Sequence, residues 1–154
     1  MAPQLVRSLL PSSRRGANGV GARILAVDDD EGLQRAVKRA AEVAGFELIQ
    51  TADGHEALTL AAEQKFDLIL LDINMPAMDG RDVLTRLKGN AKTSRIPVVV
   101  VSSRTGQLDR HLVLKLGAED FIEKPIDGRM LMAKVRRFIE AAGARRDPSG
   151  AGTE

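Results

Sequence analysis

The chain has no cysteine, tryptophan or tyrosine, and only four phenylalanines and two histidines among 154 residues. Without cysteine, no disulfide, thiolate nucleophile or zinc–thiolate site can form. The longest uninterrupted apolar stretches, such as 68–71 and 98–101, run to four or five residues, against the roughly 20 needed to cross a bilayer. Membrane spanning is excluded, and a cytoplasmic location is the expectation. The aromatics are Phe46, Phe66, Phe121 and Phe138. They are not interleaved with basic residues as in a base-stacking surface, so nucleic acid is not an expected partner. What is present is ordinary for one soluble domain: 44% hydrophobic and 29% charged residues. At this length roughly two thirds of the unfolded surface can be buried, so no metal or disulfide staple is needed.

Charge is unevenly spread. The sequence pI of about 9.2 comes from the ends. Residues 1–23 carry Arg7, Arg14, Arg15 and Arg23 with no acid, and residues 143–154 carry two arginines with Asp147 and Glu154. Of the 23 bases and 21 acids in the chain, 17 and 19 remain for residues 24–142, so the body is slightly acidic. Residues 1–22 mix Pro, Ser, Gly and Arg without periodicity and read as a disordered basic leader. Their Arg-rich, acid-free composition also resembles a transit peptide. Residues 143–154 read as a disordered tail, with Gly143 placed to stop a helix.

Between the ends, short continuous apolar runs alternate with 3.6-residue patterns, the mark of alternating strands and helices. Ile24–Val27 predicts a strand running into Asp28-Asp29-Asp30. Leu33, Ala36, Val37, Ala40 and Ala44 share a helical face that Gly45 ends. Phe46–Gln50 predicts a second strand, and a helix follows over about 54–64 with Asp53 as its N-cap. Asp67–Leu71 predicts a third strand ending at Asp72. The loop Asn74–Gly80 leads into a helix through Val83, Leu84 and Leu87. Ile96–Val101 predicts the fourth strand, followed by a helix over about 107–116 stopped by Gly117. Phe121-Ile122 centres a fifth strand, and Met130, Leu131, Lys134, Val135, Phe138 and Ile139 a last helix. Strands apolar on both faces imply a parallel sheet covered on both sides, a doubly wound α/β fold of five strands and five helices. Sites in such sheets form at the carboxyl ends of the strands.

The polar residues at those ends make chemical sense together: Asp28-Asp29-Asp30 after strand one, Asp72 after strand three, Ser102-Ser103 after strand four, Lys124-Pro125 after strand five. They are spaced by 44, 30 and 22 residues from Asp28 through Asp72 and Ser102 to Lys124. Converging carboxylates repel one another, and an oxygen-seeking dication such as Mg²⁺ is the usual reason to keep them ionised. A hydroxyl and an ammonium beside such a cation suit phosphoryl transfer, in which charge on the transferring group needs donors and cations around it. An ionised carboxylate needs no separate base, and Asp72 can be that nucleophile. Taken singly, each residue has a plainer reading: a strand-end Asp caps a helix or forms a turn, a lone Lys is solvated. Asp30 takes that reading, as an N-cap of the following helix. His55 and His111 have no ligand-spaced partner and read as surface residues. The specificity lies in the conjunction.

The segment 23–142 resembles the receiver domain of bacterial two-component response regulators. ILAVDDDEG is similar to that family's first strand with its acidic pair, LILLDINMPAMDG to its phosphoacceptor strand and loop, IPVVVVSS to its fourth strand and GAEDFIEKPI to its fifth. The resemblance implies a flavodoxin-like sheet of strand order 2-1-3-4-5. It implies that Asp72 accepts a phosphoryl group from a sensor histidine kinase or phosphotransfer protein. Mg²⁺ would be held by Asp29, Asp28, Asp72 and the main-chain carbonyl of Asn74. Ser102 and Lys124 would contact the phosphoryl oxygens, and a cis peptide is implied at Lys124-Pro125. Such a protein is a phosphoacceptor and not an enzyme acting on a separate substrate. The resemblance also implies a switch: Ser102 moves inward, and an aromatic at Phe121 follows. Phe lacks the hydroxyl a Tyr would bring, so that step would rest on packing; the alternative reading of Phe121 is plain core.

Ser102 stands where Thr is more usual, keeping the hydroxyl but losing a methyl. The resemblance also implies that Asn74 and Arg104 fall at the mouth of the site, where side chains govern access of water. Partner contacts are expected on the fourth helix, fifth strand and fifth helix, which carry Arg110, Lys115, Glu119, Asp120, Arg129, Lys134 and Arg136, with a phosphorylation-dependent homodimer as one outcome. About a dozen residues follow the last helix, so a stand-alone chemotaxis-type switch is expected. Alternatives are the receiver part of a longer regulator or hybrid kinase, or a phosphorylation-independent interaction module. The D-x-D within Asp28-Asp29-Asp30 also resembles haloacid-dehalogenase-like hydrolases, a reading that leaves DINMP unexplained.

Overall fold

A computed structural model describes residues 21–103 and 107–146. Five βα units follow one another: β1 (Arg23–Val27), α1 (Glu31–Ala44), β2 (Glu47–Thr51), α2 (Gly54–Glu63), β3 (Leu68–Leu71), α3 (Gly80–Gly89), β4 (Val98–Ser102), α4 (Gln107–Lys115), β5 (Asp120–Glu123) and α5 (Gly128–Arg146). The strands form one parallel sheet in the order β2-β1-β3-β4-β5, as expected.

The period of two along each strand sends alternate side chains to opposite faces, and both faces are apolar. Leu25, Val27, Ile69, Leu71, Val98, Val100 and Phe121 pack with Ala57, Ala61, Val83, Leu84, Leu87 and Val113. Ile24, Ala26, Leu68, Leu70, Val99, Val101 and Ile122 pack on the other face with Val37, Ala41, Leu131, Met132 and Val135. The order reverses at β1, whose neighbours β2 and β3 lie on either side. The chain therefore leaves β1 and β3 with a crevice at their carboxyl ends.

Helix boundaries follow from their caps. Asp30 and Asp53 are N-caps, their side chains accepting from Leu33 N and His55 N. Gly45 ends α1 in the left-handed region at φ 84°, where glycine carries no Cβ penalty. Three details differ from expectation. In α1 the deeply buried positions are Val37 and Ala41, whereas Ala36 is exposed. Gly21 and Ala22, read as the end of the leader, belong to the fold: Ala22 is fully buried and its carbonyl accepts from Glu47 N at 2.8 Å. At the other end Gly143 does not stop α5, which runs to Arg146. An exposed glycine costs a helix only about 1 kcal/mol relative to alanine, and Ala141, Ala142 and Ala144 around it are strong helix formers. Residues 1–20, 147–154 and Arg104 lie outside the described residues. Among those described, no helix is long and apolar enough to cross a membrane.

Candidate functional site

β1 and β3 deliver the acidic residues side by side. The main chain of Asp28 continues the β1–β2 ladder, its N–H donating to Thr51 O at 3.0 Å, and that of Asp72 continues β3, donating to Val27 O at 2.9 Å. Side-chain oxygens of Asp28, Asp29 and Asp72 then all lie within 4.8 Å of one another, with Asp28 and Asp72 buried and Asp29 exposed. The Asp30 N–H donates to Asp28 Oδ1 at 2.8 Å, and Gln34 of α1 donates its side-chain amide to the Asp28 carbonyl. Gln34 is a support that strand-and-helix patterning does not mark, because its partner lies across a turn.

Lys124 reaches this cluster from the end of β5. Its N–H donates to Ser102 O at 2.9 Å, which anchors the loop beside β4, and the following peptide to Pro125 is cis, as expected. The Lys124 Nζ sits 2.8 Å from Asp28 Oδ2 and 3.4 Å from Asp72 Oδ2. Burial pushes the Asp28 carboxyl above its ordinary range, against the hydrogen bonds from Lys124 and the Asp30 N–H that favour its charged form; the nearby Asp72 adds to the rise. Burial also works against the Lys124 ammonium. Its bonds to the two carboxylates and their charges outweigh that, and hold it above the usual lysine range.

Ser102 is fully buried at the end of β4. The Asn74 side-chain amide donates to Ser102 Oγ at 2.9 Å and to Ser103 Oγ at 3.5 Å, while the Asn74 N–H donates to Asp72 Oδ1 at 2.9 Å. Asn74 therefore touches both the acidic residue and the hydroxyl. The loop it begins returns tightly: a Cβ on Gly80 would lie 2.3 Å from Ile73 Cα and 2.4 Å from Asp72 O. Only glycine fits there, which gives the G of DINMPAMDG a structural reason that spacing alone does not supply.

The structure thus brings together Asp28, Asp29, Asp72, Asn74, Ser102 and Lys124. Phe121 stands apart on β5, buried in the cluster beneath α4, and Arg104 is outside the described residues. His55 and His111 are exposed. The charged set expected on one partner face divides. Arg136 turns to α1, donating to Ala44 O at 2.8 Å with its guanidinium 5.1 Å from the centre of the Phe46 ring, and Arg129 borders the groove between α1 and α5. Both sit away from α4, because these positions of α5 project toward α1.

An all-oxygen set of three carboxylates, two buried and one open to solvent, fits a hard dication such as Mg²⁺ and offers nothing to a thiophilic metal.

Comparison with known proteins agrees with this geometry. Residues 24–136 match the family described as response regulator receiver domain. The transcriptional regulatory protein PrrA of Mycobacterium tuberculosis is 39% identical over 122 residues, covering 79% of this chain and 52% of that protein. The chain therefore spans about half the length of that relative. A CheY-like receiver domain protein from Methanospirillum hungatei superposes with a TM-score of 0.76 at 26% identity, covering 81% of this chain and 98% of that one. The receiver domain of a Pseudomonas aeruginosa sensor histidine kinase, described with magnesium coordinated in its active-site cleft, gives 0.71 at 28% identity, covering 78% and 98%. With the sheet order, the acidic crevice and a match over most of the described residues in agreement, the chain belongs to the response regulator receiver domain family of two-component systems.

Proposed function

We propose that Asp72 is the phosphoacceptor of a two-component phosphorelay, charged by a sensor histidine kinase or a phosphotransfer protein in the cytoplasm. The observation that carries this reading is the setting of Asp72: a buried carboxylate at a strand end, with an ammonium at 3.4 Å and a buried hydroxyl one strand away. In the reaction a carboxylate oxygen of Asp72 attacks the phosphorus of a phosphohistidine. The P–N bond breaks, and the imidazole nitrogen leaves with the electron pair and takes up a proton. Asp28, Asp29, Asp72 and the Asn74 carbonyl would hold Mg²⁺, Asp28 through water. When bound, the ion supplies positive charge to the carboxylates and to the incoming phosphoryl oxygens. Lys124 pairs with one phosphoryl oxygen. Ser102 donates to another once it leaves the Asn74 amide.

The product carries about −1.5 to −2 charges, by analogy with phosphoserine. Ser102 sits at the end of β4, so its inward movement changes the seat of α4 and the face formed by α4, β5 and α5. A protein partner or a second copy of the chain reads that face. The working domain is the folded body, from Gly21 through the last helix to Arg146. A second reading follows from the relative matched over half its length: this receiver is one part of a longer regulator, whose further domain supplies the output. Incubation with phosphoramidate, whose P–N bond stands for that of phosphohistidine, tests the proposal by intact mass. One phosphoryl group should appear in the wild type with Mg²⁺ and none in Asp72→Asn. A chain that stays folded and takes up none is an interaction module instead.

A further inference from the structure

Phe121 carries a ring without a hydroxyl, and only 3% of its surface reaches solvent. Both of its main-chain polar groups are engaged by side chains. Its N–H donates to Asp120 Oδ1 at 2.8 Å, and its carbonyl accepts from Arg110 Nη1 at 3.1 Å. β5 is an edge strand, whose outward N–H and C=O groups need such partners. Arg110 does more than satisfy that carbonyl. The same guanidinium lies 5.0 Å from the centre of the Phe121 ring, within the roughly 6 Å at which a ring face attracts a cation. One side chain of α4 thus grips both the backbone and the ring of one β5 residue, and that residue belongs to the buried core cluster that also holds Val100 and Val113.

We propose that Arg110 is a positioning residue that holds the Phe121 ring buried before any phosphoryl group arrives, so that the ring stays in place when Asp72 is modified. α4 and β5 are then pinned as one unit. A displacement that starts at Ser102 reaches the output face by moving α4 and β5 together, and not by swinging the aromatic. The clamp itself is a property of the unmodified protein; only its persistence after modification rests on the phosphoacceptor reading above.

Fluorine NMR of the chain labelled with 4-fluorophenylalanine tests this, since four phenylalanines give four resonances that single Phe→Leu substitutions assign. In the untreated wild type the Phe121 resonance should be sharp and protected from a soluble paramagnetic agent. Beryllofluoride with Mg²⁺, a phosphoryl mimic, should leave it in place. Arg110→Met, which keeps the apolar stem and removes the charge and the donors, should shift or broaden the Phe121 resonance and expose it, while Phe46, Phe66 and Phe138 stay unmoved. If all four move, Arg110→Gln is judged by the same outcomes. A Phe121 resonance that stays protected without Arg110, or that shifts in the wild type with the mimic, overturns the proposal. Failure of the mimic to perturb the backbone amides of Asp72 and Ser102 counts against the phosphoacceptor reading alone, and the untreated wild type and variant still decide the role of Arg110.

Discussion

Replacing Lys124 by methionine removes the one cation that, among the described residues, bridges Asp28 and Asp72, while keeping a side chain of similar reach. At 2.8 and 3.4 Å, and with an effective dielectric of about 20, the two attractions amount to about 6 and about 5 kcal/mol before desolvation is counted. Most of that is offset by the cost of drying the ammonium and the carboxylates. Removing one partner of a buried pair nonetheless costs about 3–5 kcal/mol, because the other charge is stranded. The lysine side chain here retains 15% of its exposure, so the lower end applies, about 3 kcal/mol. In chelator, urea unfolding of Lys124→Met should show that loss with an unchanged m-value. Adding Mg²⁺ should stabilise the variant more than the wild type, since its carboxylates have lost their internal counter-charge and binding to the native state raises stability by mass action. A variant as stable as the wild type in chelator would refute the view that Lys124 neutralises this crevice.

Asp28→Asn should be more stable than the wild type at neutral pH. The folded Asp28 pKa is raised above its ordinary 3.8, so the stability linked to its protonated form is present below that value and lost as pH rises through the raised one. The advantage of the variant should therefore fade as pH falls toward 3.8, and an advantage that does not depend on pH would contradict the burial argument. Gly80→Ala forces its Cβ onto the backbone of Asp72 and Ile73, with a cost of about 1–3 kcal/mol or more from overpacking. It should also slow phosphoryl uptake by displacing Asp72, and thermal unfolding with mass-monitored uptake reads both. Thr93→Val removes a buried hydroxyl that donates to Leu87 O at 2.6 Å and should lose about 1 kcal/mol in urea unfolding, without affecting uptake.

The fold was legible because its signals are local. Continuous apolar runs marked β1, β3 and β4, shorter apolar pairs marked β2 and β5, Asp30 and Asp53 marked helix starts, and Gly45 marked an end. Strand limits slipped where the backbone partner is not local in kind. Phe46 is buried and β-prone, yet its N–H closes the end of α1 on Ala41 O at 2.9 Å, so β2 begins at Glu47. Ile96 belongs to a turn on Thr93 O, and β4 begins at Val98. In α1, Ala36 and Ala41 are one residue type, and only the placement of α5 decides which is buried. The candidate site was legible in its reactive groups, because each stands at a strand end. Gly80, Gln34 and Arg110 were not, since their roles come from contacts with Asp72, Asp28 and Phe121 that no periodicity encodes.

The central claim concerns one carboxylate. After loading with acetyl phosphate and Mg²⁺, reduction with borohydride converts an aspartyl phosphate to homoserine, and peptide mapping then locates it. Homoserine at position 72, absent when Mg²⁺ is chelated or acetyl phosphate is omitted, is the predicted result. Homoserine at position 28 or 29 with Asp72 intact, or none in a folded and loaded sample, would contradict the account.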